Sequence, residues 1–234
     1  MIKECIILAG GMGTRLRSVV DDLPKVMAPV NGKPFLHYIL EKATNEKIDH
    51  LVLSTGYLHE KIEEFIRSSH SEKNISFANE EEPLGTGGAI AYALQQCRAN
   101  EVLIVNGDSF FDINYNGFFH DHQQQHSDFS IAMKPMKNFD RYGTLSVDST
   151  GRITAFLEKQ TMEEGIINAG IYIINKKNFL AMNWPARFSM EKDFMEEYIA
   201  EVPMFGFAYD DYFIDIGIPE DYTKAQTDFK QLFP

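Results

Sequence analysis

The sequence predicts an α/β fold in which a mixed, mostly parallel sheet is flanked by helices. Three observations predict it. Short apolar runs alternate with amphipathic stretches through the first half. A glycine-rich loop follows the first apolar run directly, and the second half turns into a succession of strands before its helices.

The elements follow in order. Cys5-Ile6-Ile7-Leu8 reads as a buried first strand. Residues 35–47 have helical spacing, with Phe35, Leu36, Ile39, Leu40 and Ala43 on one face. Leu51-Val52-Leu53 is a buried strand, His59–Ser68 a helix, Ile75–Ala78 a short strand, and Thr86–Cys97 a helix entered through Gly85. Val102–Val105 is the next buried strand. In the second half, Phe129–Met133, Thr144–Val147, Arg152–Leu157 and Ile171–Ile174 read as strands, the middle two joined by the turn 148–151. Ser189–Ala200 reads as an amphipathic helix with Ser189 as N-cap, and Pro219–Leu232 as a closing helix. There is no repeat, low-complexity stretch or linker, so the expectation is a single domain over 1–234.

Composition excludes several classes. The chain has 234 residues, is 44% hydrophobic and 24% charged, and holds no apolar stretch near the ~20 residues that span a bilayer. The N-terminus runs straight into a strand, which leaves no room for a signal peptide, and a cytoplasmic location is expected. Cys5 and Cys97 are the two cysteines, expected as reduced core thiols. A net charge of −12 argues against nucleic-acid binding, which needs a basic footprint. An anionic ligand in so acidic a protein would need local cations and a bound metal to reverse the field.

The stretch Leu8-Ala9-Gly10-Gly11-Met12-Gly13-Thr14-Arg15-Leu16, closed by Pro24-Lys25, supplies such cations. Glycines let backbone N–H groups approach an anion, and Arg15 and Lys25 add charge to the same loop. The order of residues matches neither a P-loop nor a dinucleotide fingerprint. Asp108, in Asn106-Gly107-Asp108, follows a central strand and is placed for a ligand crevice. Asp215 lies between isoleucines, where a lone carboxylate is costly and calls for a partner. A metal shared with Asp108 would provide one. His122 and His126, with His120 nearby, have zinc-like spacing, but no second ligand cluster accompanies them and Gln123–Gln125 suggests a solvated helix.

These segments together resemble the sugar-1-phosphate nucleotidyltransferases, whose signature is L-A-G-G-x-G-T-R-L…P-K. Residues 80–88 look like the family's second nucleotide loop, Asn106-Gly107-Asp108 its metal-binding turn, and Glu158-Lys159 its sugar-phosphate motif. Asn168-Ala169-Gly170-Ile171-Tyr172 resembles its sugar loop, and residues 215–219 its second metal aspartate and following turn. The matches run in family order from residue 5 to about residue 222. The resemblance implies a Rossmann-like sheet of the nucleotide-diphospho-sugar transferase type. It implies a nucleotide-binding half over about 1–110 and a sugar-phosphate-binding half over about 111–234.

It also implies roles. Arg15 and Lys25 would be catalytic. Leu8, Gly10, Gly11, Gly13, Thr14, Glu80, Gly85 and Thr86 would bind the nucleotide. Asn106, Gly143, Glu158, Lys159, Asn168 and Gly170 would bind the sugar phosphate, and Asp108 and Asp215 would hold Mg²⁺, with Mn²⁺ as a substitute. The implied ligands are a nucleoside triphosphate and a sugar 1-phosphate, with neither nucleic acid nor membrane as partner; a homo-oligomer stays open. At Glu80 a carboxylate would suit the N1–H and amine of guanine, or the acidic run 80–82 is simply solvated. A longer set of matches at 17–20, 83–88, 134–136, 140–143 and 214–221 resembles the members that guanylylate a heptose 1-phosphate. Uridylyl or thymidylyl transfer to a hexose or amino-sugar 1-phosphate, or a non-catalytic nucleotide-sensing subunit, are the alternatives. Two departures stand out. Ile218 replaces a threonine common in the family, with helix capping the expected effect, and the C-terminal extension of larger, regulated members is missing.

Overall fold

The computed structural model describes residues 1–11, 16, 22–157 and 161–233. The first half holds β1 (Glu4–Leu8), the hairpin β2 (Pro29–Val30) and β3 (Lys33–Pro34), α1 (Phe35–Asn45), β4 (His50–Thr55), α2 (His59–Ser69), β5 (Ile75–Asn79), α3 (Gly85–Leu94), β6 (Glu101–Asn106) and β7 (Ser109–Phe111). The second holds α4 (Tyr115–Gln124), β8 (Phe129–Phe139), β9 (Thr144–Val147), β10 (Ile153–Leu157), β11 (Met162–Asn175), α5 (Lys176–Ala181), a π-helix (Met190–Glu196), β12 (Met204–Ala208), β13 (Phe213–Asp215) and α6 (Pro219–Leu232).

One sheet organises the described residues, in the order β10-β9-β11-β6-β1-β4-β5, with β8 on β11 and β12 on β8. Strands β6, β1, β4 and β5 are parallel. β11 runs antiparallel to β6 and to β8, so the sheet is mixed and mostly parallel in its first half. Successive residues of a strand face opposite sides, and here both sides are covered. Cys5 and Ile7 pack with Phe35, Tyr38, Phe118 and Phe229 on one face. Ile6 packs with Ile90, Phe179 and Phe194 on the other. This is why the strands read as unbroken apolar runs, and each large side chain so buried contributes about 1.5–3 kcal/mol. Cys5 and Cys97 are free and buried, and burial raises both thiols, Cys97 to about 12.

Several expectations need correction. Helix α1 stops at Asn45, not Lys47, because Lys47 takes a left-handed φ of 60°. α3 spans Gly85–Leu94 and not Thr86–Cys97. Strand β8 runs on past Met133 to Phe139. Its first five residues carry β12 on the far side, and Pro135, beyond that pairing, is tolerated where the strand has become an edge. β11 is far longer than Ile171–Ile174, covering Met162–Asn175. Its opening residues, with Glu163, Glu164 and Gly165 among them, pair with the exposed outer part of β8, so no unbroken apolar run announces where it begins. The helix expected over Ser189–Ala200 is a π-helix of seven residues, Met190–Glu196, with Ser189 as its N-cap, the hydroxyl accepting from Lys192 N–H at 3.2 Å. The wider turn sends Met190, Phe194 and Met195 into the core. His122 is not on a solvated face. It is buried, with Nδ1 2.8 Å from Ser130 Oγ and Nε2 3.0 Å from Glu101, while His126 lies past the end of α4.

Candidate active site

The C-terminal ends of β1 and β6 stand side by side, with Leu8 paired to Asn106. Just beyond them the two backbones approach closely. Gly107 N–H donates to Leu8 C=O at 2.9 Å, and a Cβ at Gly107 would meet that same oxygen at 2.5 Å. Glycine at this turn therefore lets β6 reach past β1 and puts Asp108 over the ends of the strands. Opposite, β13 pairs antiparallel with β7, with Asp215 set against Ser109. The Ile216 N–H donates to Asp108 C=O at 3.0 Å, which fixes the two aspartates to one another through the backbone.

Lys25 reaches both carboxylates. Its ammonium is 2.6 Å from Asp108 Oδ2 and 3.5 Å from Asp215 Oδ1. Asp215 Oδ1 also accepts from Gly217 N–H at 2.7 Å. Among the described residues Lys25 is the cation bonded to both carboxylates, with Arg141 acting on Asp215 as a weaker influence. Burial, and then the charge of Asp108, push the Asp215 carboxyl above its ordinary value despite Lys25. A site that holds surplus carboxylate in a polar cleft suits a hard divalent cation, which takes one or two carboxylates together with phosphate oxygens. The donor set fits Mg²⁺ in that respect.

These groups line a cleft of about 680 Å³. Of the residues expected from sequence, Gly11, Lys25, Asn106, Asp108, Gly143, Asn168, Gly170 and Asp215 all line it. The bulge in β11 between Asn168 and Ile171 aims the last part of this wall. Gly170 has φ +74°, and a Cβ there would strike the Asn106 amide at 2.4 Å. Asn168 is held by two bonds, its Nδ2 donating to Tyr172 Oη at 2.9 Å and its Oδ1 accepting from Gly170 N–H at 3.0 Å. Gly143 C=O accepts from Asn168 N–H at 3.0 Å.

Other expected residues fall elsewhere. Gly13, Thr14, Arg15, Glu158 and Lys159 lie outside the described residues. Among the described residues, Leu8, Gly10, Glu80, Gly85 and Thr86 do not line the cleft. Glu80 sits behind Gly10, half-buried, while Glu81 and Glu82 are exposed; the acidic run is not one solvated surface. Glu80 Oε2 accepts from Leu84 N–H at 2.9 Å, and Oε1 is 3.5 Å from Ser54 Oγ. Burial raises its carboxyl above the ordinary value, against the pull of those two bonds. The glycines that open α3 are filled from within the chain. A Cβ at Gly87 would meet the Phe188 ring at 2.2 Å, and one at Gly88 the Ala186 carbonyl at 2.4 Å. Thr86 Oγ1 donates to Glu191 Oε2 at 2.8 Å and accepts from Met190 N–H at 2.9 Å.

The cleft also holds side chains not singled out as site residues from sequence: Arg141, Tyr142, Glu191, Lys192 and Glu196. Arg141 pairs with Asp221, donates to Tyr142 Oη at 2.7 Å and lies over the Tyr142 ring at 4.9 Å. The signal for it was its neighbour Gly143 in the same short turn. The other three stand on the π-helix, whose irregular backbone no local pattern gives away.

A model of the nucleotidyl transferase family matches residues 4–231. The chain belongs to that family. It is therefore a nucleotidyltransferase, and enzymes of this family generally need a divalent metal. It is 46% identical to a D-glycero-alpha-D-manno-heptose 1-phosphate guanylyltransferase of Aneurinibacillus thermoaerophilus, over 97% of this chain and 98% of that one. It is 41% identical to the protein of the same name from Campylobacter jejuni, over 94% and 96%. A crystal structure of HddC from Yersinia pseudotuberculosis complexed with GMP-PN superposes with a TM-score of 0.88, at 36% identity over 97% of this chain and 100% of that one. No helix among the described residues is long and apolar enough to cross a membrane.

Proposed function

We propose that the protein transfers a guanylyl group from GTP to D-glycero-D-manno-heptose 1-phosphate, giving a nucleoside diphosphate sugar and pyrophosphate. The observation that carries the reaction class is Lys25 between Asp108 and Asp215 at the mouth of the parallel strands. The choice of base and sugar is supported by the two relatives of that name, at 46% and 41% identity.

The chemistry follows from charge. A sugar 1-phosphate is mostly dianionic at neutral pH, its second pKa being about 6. Its oxygen attacks the α-phosphorus of the nucleotide without a general base; a new P–O bond forms there and the bond to the β-phosphate breaks. The protein's part is alignment and neutralisation of anions. In this reading Lys25 stands between the two phosphates, held in place by its two aspartates. The loop over residues 10–15 and Arg15 hold the triphosphate and the departing pyrophosphate, with Glu80, Gly85 and Thr86 on the side of the base. Asn106, Gly143, Glu158, Lys159, Asn168 and Gly170 hold the sugar phosphate. Asp108 and Asp215 would hold Mg²⁺, or Mn²⁺ in its place, and that ion supplies positive charge to the phosphates in a protein of net charge −12. The nucleotide side corresponds to residues 1–110 and the sugar side to 111–234, acting as one domain in the cytoplasm.

A pyrophosphate-release screen of four nucleoside triphosphates against a panel of sugar 1-phosphates tests this. The expected result is that GTP with the heptose 1-phosphate gives the highest kcat/KM. A preference for UTP or dTTP with a hexose 1-phosphate would replace this reading with the uridylyl or thymidylyl alternative.

A further inference from the structure

Away from the cleft, three side chains with no part in this reaction converge. His37 and Glu41 stand one turn apart on α1, and His70 caps the C-terminal end of α2. His37 Nδ1 and His70 Nε2 are 3.2 Å apart, and ligand atoms of all three residues lie within 4.8 Å of one another. His70 is 2% exposed. Its Nδ1 is buried without a hydrogen-bond partner, with Glu41 Oε1 3.9 Å away. Such an orphan costs about 1–3 kcal/mol in a folded protein. The hydrogen bond between the two rings accounts for one nitrogen of His70 and leaves the other stranded.

We propose that His37, Glu41 and His70 form a binding site for a divalent transition-metal cation of the Zn²⁺ class. Ligands about 2.0–2.1 Å from a tetrahedral zinc stand roughly 3.3–3.4 Å apart, close to the separation of the two ring nitrogens. Two imidazoles and a carboxylate, with a fourth position for water, are donors that zinc accepts. Mg²⁺ and Ca²⁺ take oxygen ligands and would not choose the site. Drawing Glu41 in on a shared cation completes the donor set. Burial, helped by nearby lysines, lowers both histidines, which keeps the rings in the neutral, ligating form. Those lysines are Lys73, 3.2 Å from Glu41 and bonded to Thr44 Oγ1 at 2.8 Å, and Lys33, 3.2 Å from His37 Nε2. Lys33 is exposed and touches the ring nitrogen not needed for the metal, so it can turn to solvent. A bound ion would tie α1 to the end of α2.

The test is metal analysis of the full chain, freed of any affinity tag, after dialysis against Zn²⁺ and then against metal-free buffer. One equivalent should be retained. His37→Gln and His70→Asn should each lose it, with affinity falling by more than the roughly 10–100-fold that loss of an outer partner costs. An Asp108→Asn/Asp215→Asn double variant should keep it. Co²⁺ in place of Zn²⁺ should give the intense visible bands of a four-coordinate site in the wild type and not in His37→Gln, whose half-exposed position makes misfolding a lesser concern. No retained zinc in the wild type, retention unaffected by His37→Gln, or loss confined to the aspartate variant would overturn the site.

Discussion

The two edges of the parallel sheet each hold carboxylates at least partly withdrawn from water, and treat them in opposite ways. At the N-terminal edge, Glu4 is buried and fully met. Its Oε1 is 2.8 Å from His50 Nδ1, and its Oε2 accepts from the amides of Arg98, at 2.7 Å, and Ala99. Burial alone would raise its carboxyl, but the bonds from His50, Ala99 and Arg98 win and hold it below the ordinary value. At the C-terminal edge, Asp108 and Asp215 share Lys25, and Asp215 is pushed up. The first arrangement serves the fold, since every acceptor finds a donor in the chain. The second leaves charge to be met by something that arrives, which costs stability and is what a ligand site requires.

The largest effect should come from spoiling the unmet edge. Asp215→Asn keeps the acceptor for Gly217 N–H and removes the charge. Turnover should fall by roughly 1,000-fold or more, the scale on which a lost electrostatic group is felt in a water-poor site. The fold should gain roughly 0.5–2 kcal/mol as the repulsion with Asp108 goes. The sign with pH is fixed by the raised carboxyl. Between the unfolded value and the higher folded one, the native state binds a proton that the unfolded chain does not, so wild-type stability falls as pH rises through that window. The variant should lack this fall. Thermal unfolding across mildly acidic pH, with a pyrophosphate-release assay, reads both; a variant that is inactive and also less stable would sink the comparison.

The met edge should answer the other way. Glu4→Gln removes an ionised acceptor and turns an amide donor towards two backbone N–H groups. The loss should be about 1.5–3 kcal/mol, the worth of hydrogen bonds to a charged group, with kcat unchanged in the enzyme that remains folded. Because the folded carboxyl lies below its ordinary value, this stability is fully present above the unfolded value of about 4.3 and is lost as pH falls through the folded one. The gap between variant and wild type should therefore close in acid. Denaturant titrations at neutral pH and in acid check it, and a gap that persists after protonation would mean that packing, not charge, holds the edge.

How far the sequence reveals these two edges differs for a physical reason. The strands behind them are legible because both faces of β1, β4 and β6 are covered, so their central residues, 5–8, 51–53 and 102–105, are apolar. α6 is legible from Pro219 at its first turn with Glu220 and Asp221 beside it, and Ile218 ahead of it makes no side-chain cap, in keeping with the missing threonine. Lys25, Asp108 and Asp215 stand out as charges at loop ends, and the fold brings them together. Glu4 does not stand out, because its partners are a histidine on another strand and two backbone amides. The same limit applies to glycine. Gly11 and Gly87 look alike as letters, yet a Cβ at Gly11, which lies on the cleft, would meet nothing within 4 Å among the described residues, whereas one at Gly87 would enter the Phe188 ring. What fills the space above a glycine comes from far along the chain, and so does the π-helix that walls the cleft.

Glu80 stands between the two cases, and the smallest expected effect sharpens the distinction. Like Glu4 it accepts a backbone N–H, from Leu84; like Asp215 it is pushed up by burial that its bonds do not offset. If it only shapes the loop, Glu80→Gln retains one oxygen for Leu84 N–H and should weaken all nucleotides alike. If it also meets the guanine edge, the variant loses an acceptor and turns a donor towards the base's own N–H groups. Unpaired polar groups cost about 1–3 kcal/mol when buried, so kcat/KM with GTP should fall by roughly 5- to 150-fold, while UTP and dTTP fall less or rise. Measuring kcat/KM for each nucleotide in both proteins separates the two. A selective loss places Glu80 with the charges kept for a ligand, whereas a uniform loss places it with Glu4, as a carboxylate spent on the fold, and leaves the choice of guanine to residues elsewhere in the nucleotide side.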